Sequence, residues 1–279
     1  MIEMETDQRI SGASTRAGQP EAPQEARWEI PVLRARRGGR AERLGCSFGG
    51  LHPAITFAVA MLVGLAAVAV LSIGCGFLVT RVLERVWGIG AADERVNVWL
   101  ATHRTPARTD ASLVGSIVAG GVVLPIVVGS IALACAVLRQ WQIAAFVVFA
   151  LAVESASYRA TTLVVHSHRP RVVRLESLPV NASYPSGHTA ASIAVYGGLI
   201  LLLTSRFTGG VFRASAWTFA VGLVMFVATA RMYRGMHHPL DVAGGAVVGI
   251  AAVSALVFAC RTAGAAAESR KRGRSVGHS

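Results

Sequence analysis

The chain has 279 residues, 53% of them hydrophobic and 15% charged, with a mean hydropathy of +0.52 and a formal charge of +12. That balance is too apolar for an ordinary water-soluble domain. The positive charge sits at the two ends of the chain and around a few polar clusters, not on one basic face, which excludes nucleic acid as the partner.

Residues 1–50 hold no long apolar run and are rich in Gly, Pro, Ala, Glu and Arg. They are expected to form a disordered basic tail, not a signal peptide. Five arginines between Arg34 and Arg43 stand just before the first apolar block. Residues 51–260 contain six such blocks, at about Ile55–Val79, Ala111–Val137, Ile143–Val165, Thr189–Thr204, Ser215–Ala230 and Leu240–Cys260. A helix needs roughly 20 apolar residues to cross a bilayer, and no alternating pattern suggests a barrel. The expected fold class is therefore all-α: a polytopic membrane protein built as a six-transmembrane-helix bundle. Residues 261–279 carry Arg261, Arg270, Lys271, Arg272 and Arg274 and are expected to form a second disordered basic tail.

The positive-inside rule places both basic ends in the cytoplasm, which requires an even number of spans. The loop from Arg81 to Asp110 also has five arginines, but four acidic residues accompany them and weaken its retention signal. Within that loop, Asp93 is a candidate helix cap, followed by Val96, Trp99 and Leu100 at helical spacing. A short amphipathic helix at the membrane interface is expected there, with Trp99 at headgroup level. In the third block Glu154 and Arg159 suggest either a buried ion pair or a water-lined cleft. Gly245 and Gly249 in the sixth form a small-residue motif for close helix packing. The four cysteines lack ligand spacing and read as packing residues.

Three polar clusters fall at the ends of these blocks: His168-Arg169-Pro170, Pro185-Ser186-Gly187-His188, and Arg231 with His237 and Asp241. With both ends of the chain inside, all three reach the outer face. Cleaving a phosphate ester takes a nucleophile, a proton donor for the leaving oxygen and positive charge around the transition state. His237 is the candidate nucleophile. Asp241 lies four residues on, a spacing expected to let its carboxylate hold one ring nitrogen and leave the other free. His188 is the candidate acid, opening a helix whose free amides and dipole favour an anion. Gly187 lets the backbone approach a phosphate, and Arg169 and Arg231 would clamp its oxygens in pairs. His166, His168 and His238 raise the question of metal, but they alternate with arginines that repel a dication. No metal and no cofactor are expected.

On these motifs the chain resembles the type 2 phosphatidic acid phosphatase family, which shares its site with vanadium haloperoxidases, and within it the bacterial integral-membrane branch. The family pattern is Lys-six residues-Arg-Pro, Pro-Ser-Gly-His, and Ser-Arg-five residues-His-three residues-Asp. The chain supplies Arg169-Pro170, Pro185 to His188, and Arg231, His237 and Asp241 at those intervals. The resemblance covers roughly Asp93 to Val248. It implies a metal-independent phosphohistidine mechanism, with His237 attacking, Asp241 orienting it and His188 protonating the leaving group. The arginines and the Ser186 and Gly187 amides would then hold phosphate. Two positions depart: Thr162 stands where the family has lysine, and Ala230 where it has serine. Arg159, Arg171 and Arg174 are near enough in sequence to supply the missing charge, with Arg171 preferred because it needs no intramembrane reach.

The expected function is hydrolysis of a lipid phosphate or diphosphate at the outer face of the cell membrane. Phosphatidic acid, phosphatidylglycerol phosphate and polyprenyl diphosphates, the last as in an undecaprenyl diphosphatase, are the classes the family implies. The alternatives are a membrane phosphotransferase and a lipid-phosphate binding protein with impaired catalysis. Oligomeric state is left open, since packing glycines serve contacts within one chain as well as between chains.

Overall fold

The computed structural model describes residues 30–85, 88–177, 181–207 and 209–276. These are almost entirely helical; the one isolated bridge among them pairs Ser167 with Ala182. A short turn at Pro31–Leu33 leads to helix α1 (Arg40–Ser47) and then to α2 (Pro53–Phe77), which begins at a Pro in the first turn. His52 caps α2, its Nδ1 accepting from the Ala54 amide at 3.3 Å. Helix α3 (Ile89–Thr102) fills the loop before α4 (Pro106–Val118) and α5 (Val123–Val137). After these come α6 (Trp141–Val164), then α7 (Gly187–Ser192), which runs through a π-helical turn at Ile193–Gly197 into α8 (Gly198–Thr204). Helices α9 (Gly210–Tyr233) and α10 (Pro239–Val276) complete the chain.

Five helical stretches are long and apolar enough to cross a membrane: Pro53–Arg85, Trp141–Val164, Gly187–Thr204, Gly210–Tyr233 and Pro239–Gly273. The second expected span is not one straight helix. It is the α4–α5 pair, bent by 46° at the break after Val118, and it makes a sixth span when the pair is counted as one. Gly120 and Gly121 lie in that break, where glycine's conformational freedom costs least.

Both proposed tails depart from expectation where they are described. Ile30 and Leu33 are buried in the main core with Met61, Phe146 and Leu256, and Arg261 Nε donates to the Val32 carbonyl at 2.8 Å. Helix α1 packs directly on α10. A Cβ at Gly45 would stand 2.5 Å from the Thr262 carbonyl, so only glycine permits this approach. Beyond Cys260 the chain remains helical to Val276, with Ala265 and Ala266 buried. The basic residues advertise solvent, but the small residues between them form a packing face. Residues 1–29 of the first tail and 277–279 of the second lie outside the described residues.

The core is layered around α10, which packs on α2, α6 and α7. Gly245 and Gly249 close it onto α7: a Cβ at either would meet the Ser186 or Ala190 carbonyl, at 2.4 and 2.6 Å. This fixes the Pro-Ser-Gly-His segment against the start of α10. Glu154 is buried and accepts from the Ser155 hydroxyl at 3.2 Å, whereas Arg159 is exposed, so the two form no ion pair.

Candidate active site

The site is assembled at three chain reversals. Helix α9 ends at Tyr233 and is closed by Gly235, whose φ of +70° supplies the left-handed step. The Gly235 and Met236 amides then donate back to the Met232 and Arg231 carbonyls, at 2.9 and 3.0 Å. His237 and His238 occupy the short link before Pro239 opens α10. The second reversal brings Ala182 beside Ser167, and the Ser183 amide donates to the Ser167 carbonyl at 3.3 Å. The third follows Arg169-Pro170 and carries Glu176 back to α9.

His237 is 3% exposed. Its Nδ1 lies 2.7 Å from the Ser183 carbonyl, which can only accept, so Nδ1 carries the proton and Nε2 keeps its lone pair. Burial first, and then the positive charges of Arg231 and Arg169, hold the imidazole's pKa well below its ordinary value. The ring is thus a neutral nitrogen base.

Asp241 does not hold His237. Its Oδ2 is 3.9 Å from His237 Nδ1 and instead accepts from the Ser183 hydroxyl at 2.6 Å and the His238 amide at 2.8 Å. The expected contact fails because four-residue spacing aligns side chains only inside a helix, and His237 precedes Pro239 and lies outside α10. The carboxylate acts one step removed. It fixes Ser183, whose carbonyl fixes the His237 ring.

The Ser186 amide is also committed, donating to the Asp241 carbonyl at 2.9 Å, so it is not free for a phosphate as expected. The Ser186 hydroxyl pairs with that of Thr189 at 3.0 Å. Gly187 and His188 open α7, and a Cβ at Gly187 would press on the Tyr158 ring at 3.2 Å.

Arg231 is fully buried. Its Nη1 donates to both Glu176 oxygens, at 2.9 and 2.8 Å, and to the Ser116 hydroxyl. Its Nε and Nη2 have no hydrogen-bond partner among the described residues. Two buried guanidinium donors aimed at nothing are costly unless an anion arrives. Arg169 donates from Nη1 to the Met236 carbonyl and from Nη2 to that of Ala182 at 2.8 Å, which ties together the two loops that bracket His237. Arg171 is exposed, with its amide on Glu94 at 2.8 Å. Thr162 returns its hydroxyl to the Arg159 carbonyl at 3.0 Å, as a helical threonine does.

Several residues had no sequence signal. Glu176 bridges Arg231 and Arg234, with its carboxylate 2.5 Å from Arg234 Nε. Burial works to raise its pKa, but Arg231, Ser116 and Arg234 together bring it down to about 2. Asn97, fully buried on α3, donates from Nδ2 to the carbonyls of Met232 at 3.1 Å and His237 at 2.9 Å. Asp93 is a cap, but of α10: it takes the Leu240 amide at 3.0 Å, while Gly88 holds the N-cap of α3. His238 lies 3.0 Å from Glu94 by Nε2 and 3.4 Å from Asp241 by Nδ1. Burial opposes its charge, yet Asp241, Glu94 and Asp93 outweigh it and raise its pKa to about 9. The amphipathic helix expected between Ala91 and Thr109 is therefore α3 in part. Trp99 is exposed and stacked on His103, while the opposite face grips the site.

A neutral histidine base, a buried arginine with two open donors and a second histidine at a helix start form a receptor for a tetrahedral anion. Residues 143–263 match the PAP2 superfamily. The matched stretch runs from α6 through most of α10 and contains all three motifs. An undecaprenyl-diphosphatase of Sulfolobus acidocaldarius is 39% identical over 77 residues, which cover 27% of this chain and 32% of that protein. The bacitracin transport permease protein BcrC of Bacillus licheniformis is 35% identical over 81 residues, 29% of this chain and 35% of that protein. The chain thus aligns with about a third of the length of these curated relatives. The crystal structure of a transmembrane PAP2-type phosphatidylglycerolphosphate phosphatase from Bacillus subtilis shares the fold. Its TM-score is 0.57 at 17% identity, over 73% of this chain and 93% of that one.

Proposed function

We propose that the protein is an integral-membrane lipid phosphatase that cleaves a phosphate monoester or diphosphate through a phosphohistidine. One observation carries the reading. His237 is held neutral with its Nε2 lone pair free, next to an Arg231 that keeps two buried donors without a protein partner. The PAP2 match and the diphosphatase and phosphatidylglycerolphosphate phosphatase relatives support the substrate class.

In this reading Nε2 of His237 attacks phosphorus, the bond from phosphorus to the lipid oxygen breaks, and that oxygen takes a proton from His188. Arrival of a phosphate dianion favours the protonated, acidic form of His188. A water, deprotonated by His188, then attacks the phosphohistidine, which releases inorganic phosphate and restores His237. Arg231 and Arg169 balance the charge on the transferring group. Arg171, exposed at the rim, supplies the cation lost at Thr162. Both ends of the chain lie in the cytoplasm, the site faces outward, and no metal takes part.

The test is inorganic phosphate release by the purified full chain and by His237→Ala, with EDTA present. The panel is phosphatidic acid, phosphatidylglycerol phosphate and a polyprenyl diphosphate. Release by the native chain alone, unaffected by EDTA, is expected. No release from any of these lipids overturns hydrolysis, and release that survives in His237→Ala overturns the phosphohistidine.

A further inference from the structure

Helix α6 carries a tyrosine that none of the three motifs includes. Tyr158 stands four residues before Thr162, one helical turn, so the two share a side of α6. Thr162 spends its hydroxyl on the Arg159 carbonyl and brings no charge. Tyr158 spends its hydroxyl on nothing: it has no hydrogen-bond partner among the described residues.

Three observations place that side chain at the anion receptor. Its ring lies against the first residue of α7, where a Cβ at Gly187 would stand 3.2 Å from both Cδ2 and Cε2. The ring therefore borders the Ser186-Gly187-His188 turn. The phenol is also close enough to the guanidinium groups of Arg169 and Arg231 to act electrostatically on both. These arginines come from different segments, the link after α6 and the end of α9, and both belong to the receptor. Finally, Tyr158 is only half-buried, and its hydroxyl is not sealed from solvent as those of Tyr184 and Ser157 are. A ligand can reach it. Packing on Gly187 asks only for a ring, which phenylalanine would supply. An anchor in the headgroup belt would turn its face to lipid, not to α7.

Resting on the phosphatase reading above, we infer that Tyr158 is a further phosphate-binding residue of this site. Its hydroxyl donates a hydrogen bond to an oxygen of the phosphate held by Arg231 beside His188. A phenol suits that place because it supplies a donor without adding charge to a pocket that already holds two guanidinium groups. The contact brings α6 into the phosphate cradle, on the side where Thr162 offers no cation. Tyr158 exchanges no proton with the substrate in this role; it holds one oxygen of the transferring group in place.

The test compares the purified full chain with Tyr158→Phe, which keeps the ring and removes only the hydroxyl. Melting temperature, binding of inorganic phosphate and phosphate release from the lipid panel are measured on both. The variant should melt as the native chain does. It should bind inorganic phosphate on the order of tenfold more weakly and release phosphate on the order of a hundredfold more slowly. Because phosphate binding needs no turnover, it separates this contact from the hydrolysis it serves. A native chain that binds phosphate but cleaves no lipid overturns hydrolysis alone, and the binding ratio then decides for or against Tyr158. Phosphate binding unchanged in Tyr158→Phe overturns the inference. So does a fall in melting temperature that accounts for the lost binding, which would reduce Tyr158 to packing on Gly187. A native chain that neither binds nor releases phosphate removes the receptor and the inference together.

Discussion

His238 gives the sharpest expectation. It stands between α3 and α10, 3.0 Å from Glu94 and 3.4 Å from Asp241, with Asp93 and Glu84 also acting on the same pocket. Its pKa rises from 6.5 to about 9, which corresponds to about 3 kcal/mol in favour of the folded state. Because the folded value lies above the unfolded one, this contribution is fully present below pH 6.5 and is lost as pH rises through about 9. Asp93 does not interfere in that window: burial, opposed by the Leu240 amide, raises it only to about 6. Thermal melting of the purified chain from pH 6.5 to 9.5 should therefore fall by roughly 6–10 °C. The His238→Gln variant should start lower and show little slope over the same range. Phosphate release should fall along with melting, since the same contact docks α3 on the His237 link. A native melting temperature that is flat across this range, or an equal slope in both proteins, refutes the reasoning.

Three further perturbations follow from the same geometry. Asn97→Ala removes the donor to the His237 carbonyl, so the chain should lose about 1–3 kcal/mol of stability. Its kcat should fall on the order of a hundredfold with KM little changed, as steady-state phosphate release will show. Glu176, brought down to about 2 by Arg231, Ser116 and Arg234 against its burial, stabilises the fold above pH 4.5 and loses that contribution as pH falls toward 2. Glu176→Gln should flatten the acid limb of the melting curve by about 1–2 kcal/mol after solvent screening. Gly245→Ala places a methyl 2.4 Å from the Ser186 carbonyl, and overpacking of this kind costs about 1–3 kcal/mol. Melting and phosphate release should fall together in that variant, since α10 and the Ser186 turn move apart.

The helical blocks were legible in the sequence because span length is set by bilayer thickness, which composition reports directly. The bend in the second was also written there, as Gly120-Gly121, but an unbroken apolar average conceals a break that costs only a few backbone bonds. The basic ends misled for the opposite reason. Arginine count suggested a solvated tail, while Ala41, Leu44, Gly45 and Phe48 already stood at helical intervals. Gly45 meets the Thr262 carbonyl more than 200 positions away, a distance that local pattern cannot span.

At the candidate site, two contacts expected from motif spacing differ in the fold: those of Asp241 and of the Ser186 amide. Asp241 is four residues after His237, yet Pro239 starts the helix between them. The carboxylate therefore turns back to the His238 amide and to Ser183, and the ring is held by a backbone carbonyl that no motif names. The acidic residues of the first loop show the deeper limit. In a topology argument Asp93 and Glu94 are counter-charges that dilute a retention signal. In the fold Asp93 takes the first free amide of α10 and Glu94 takes His238, while Asn97 beside them secures the His237 carbonyl. A helix that looks like a membrane-surface connector thus holds the His237–His238 link in place.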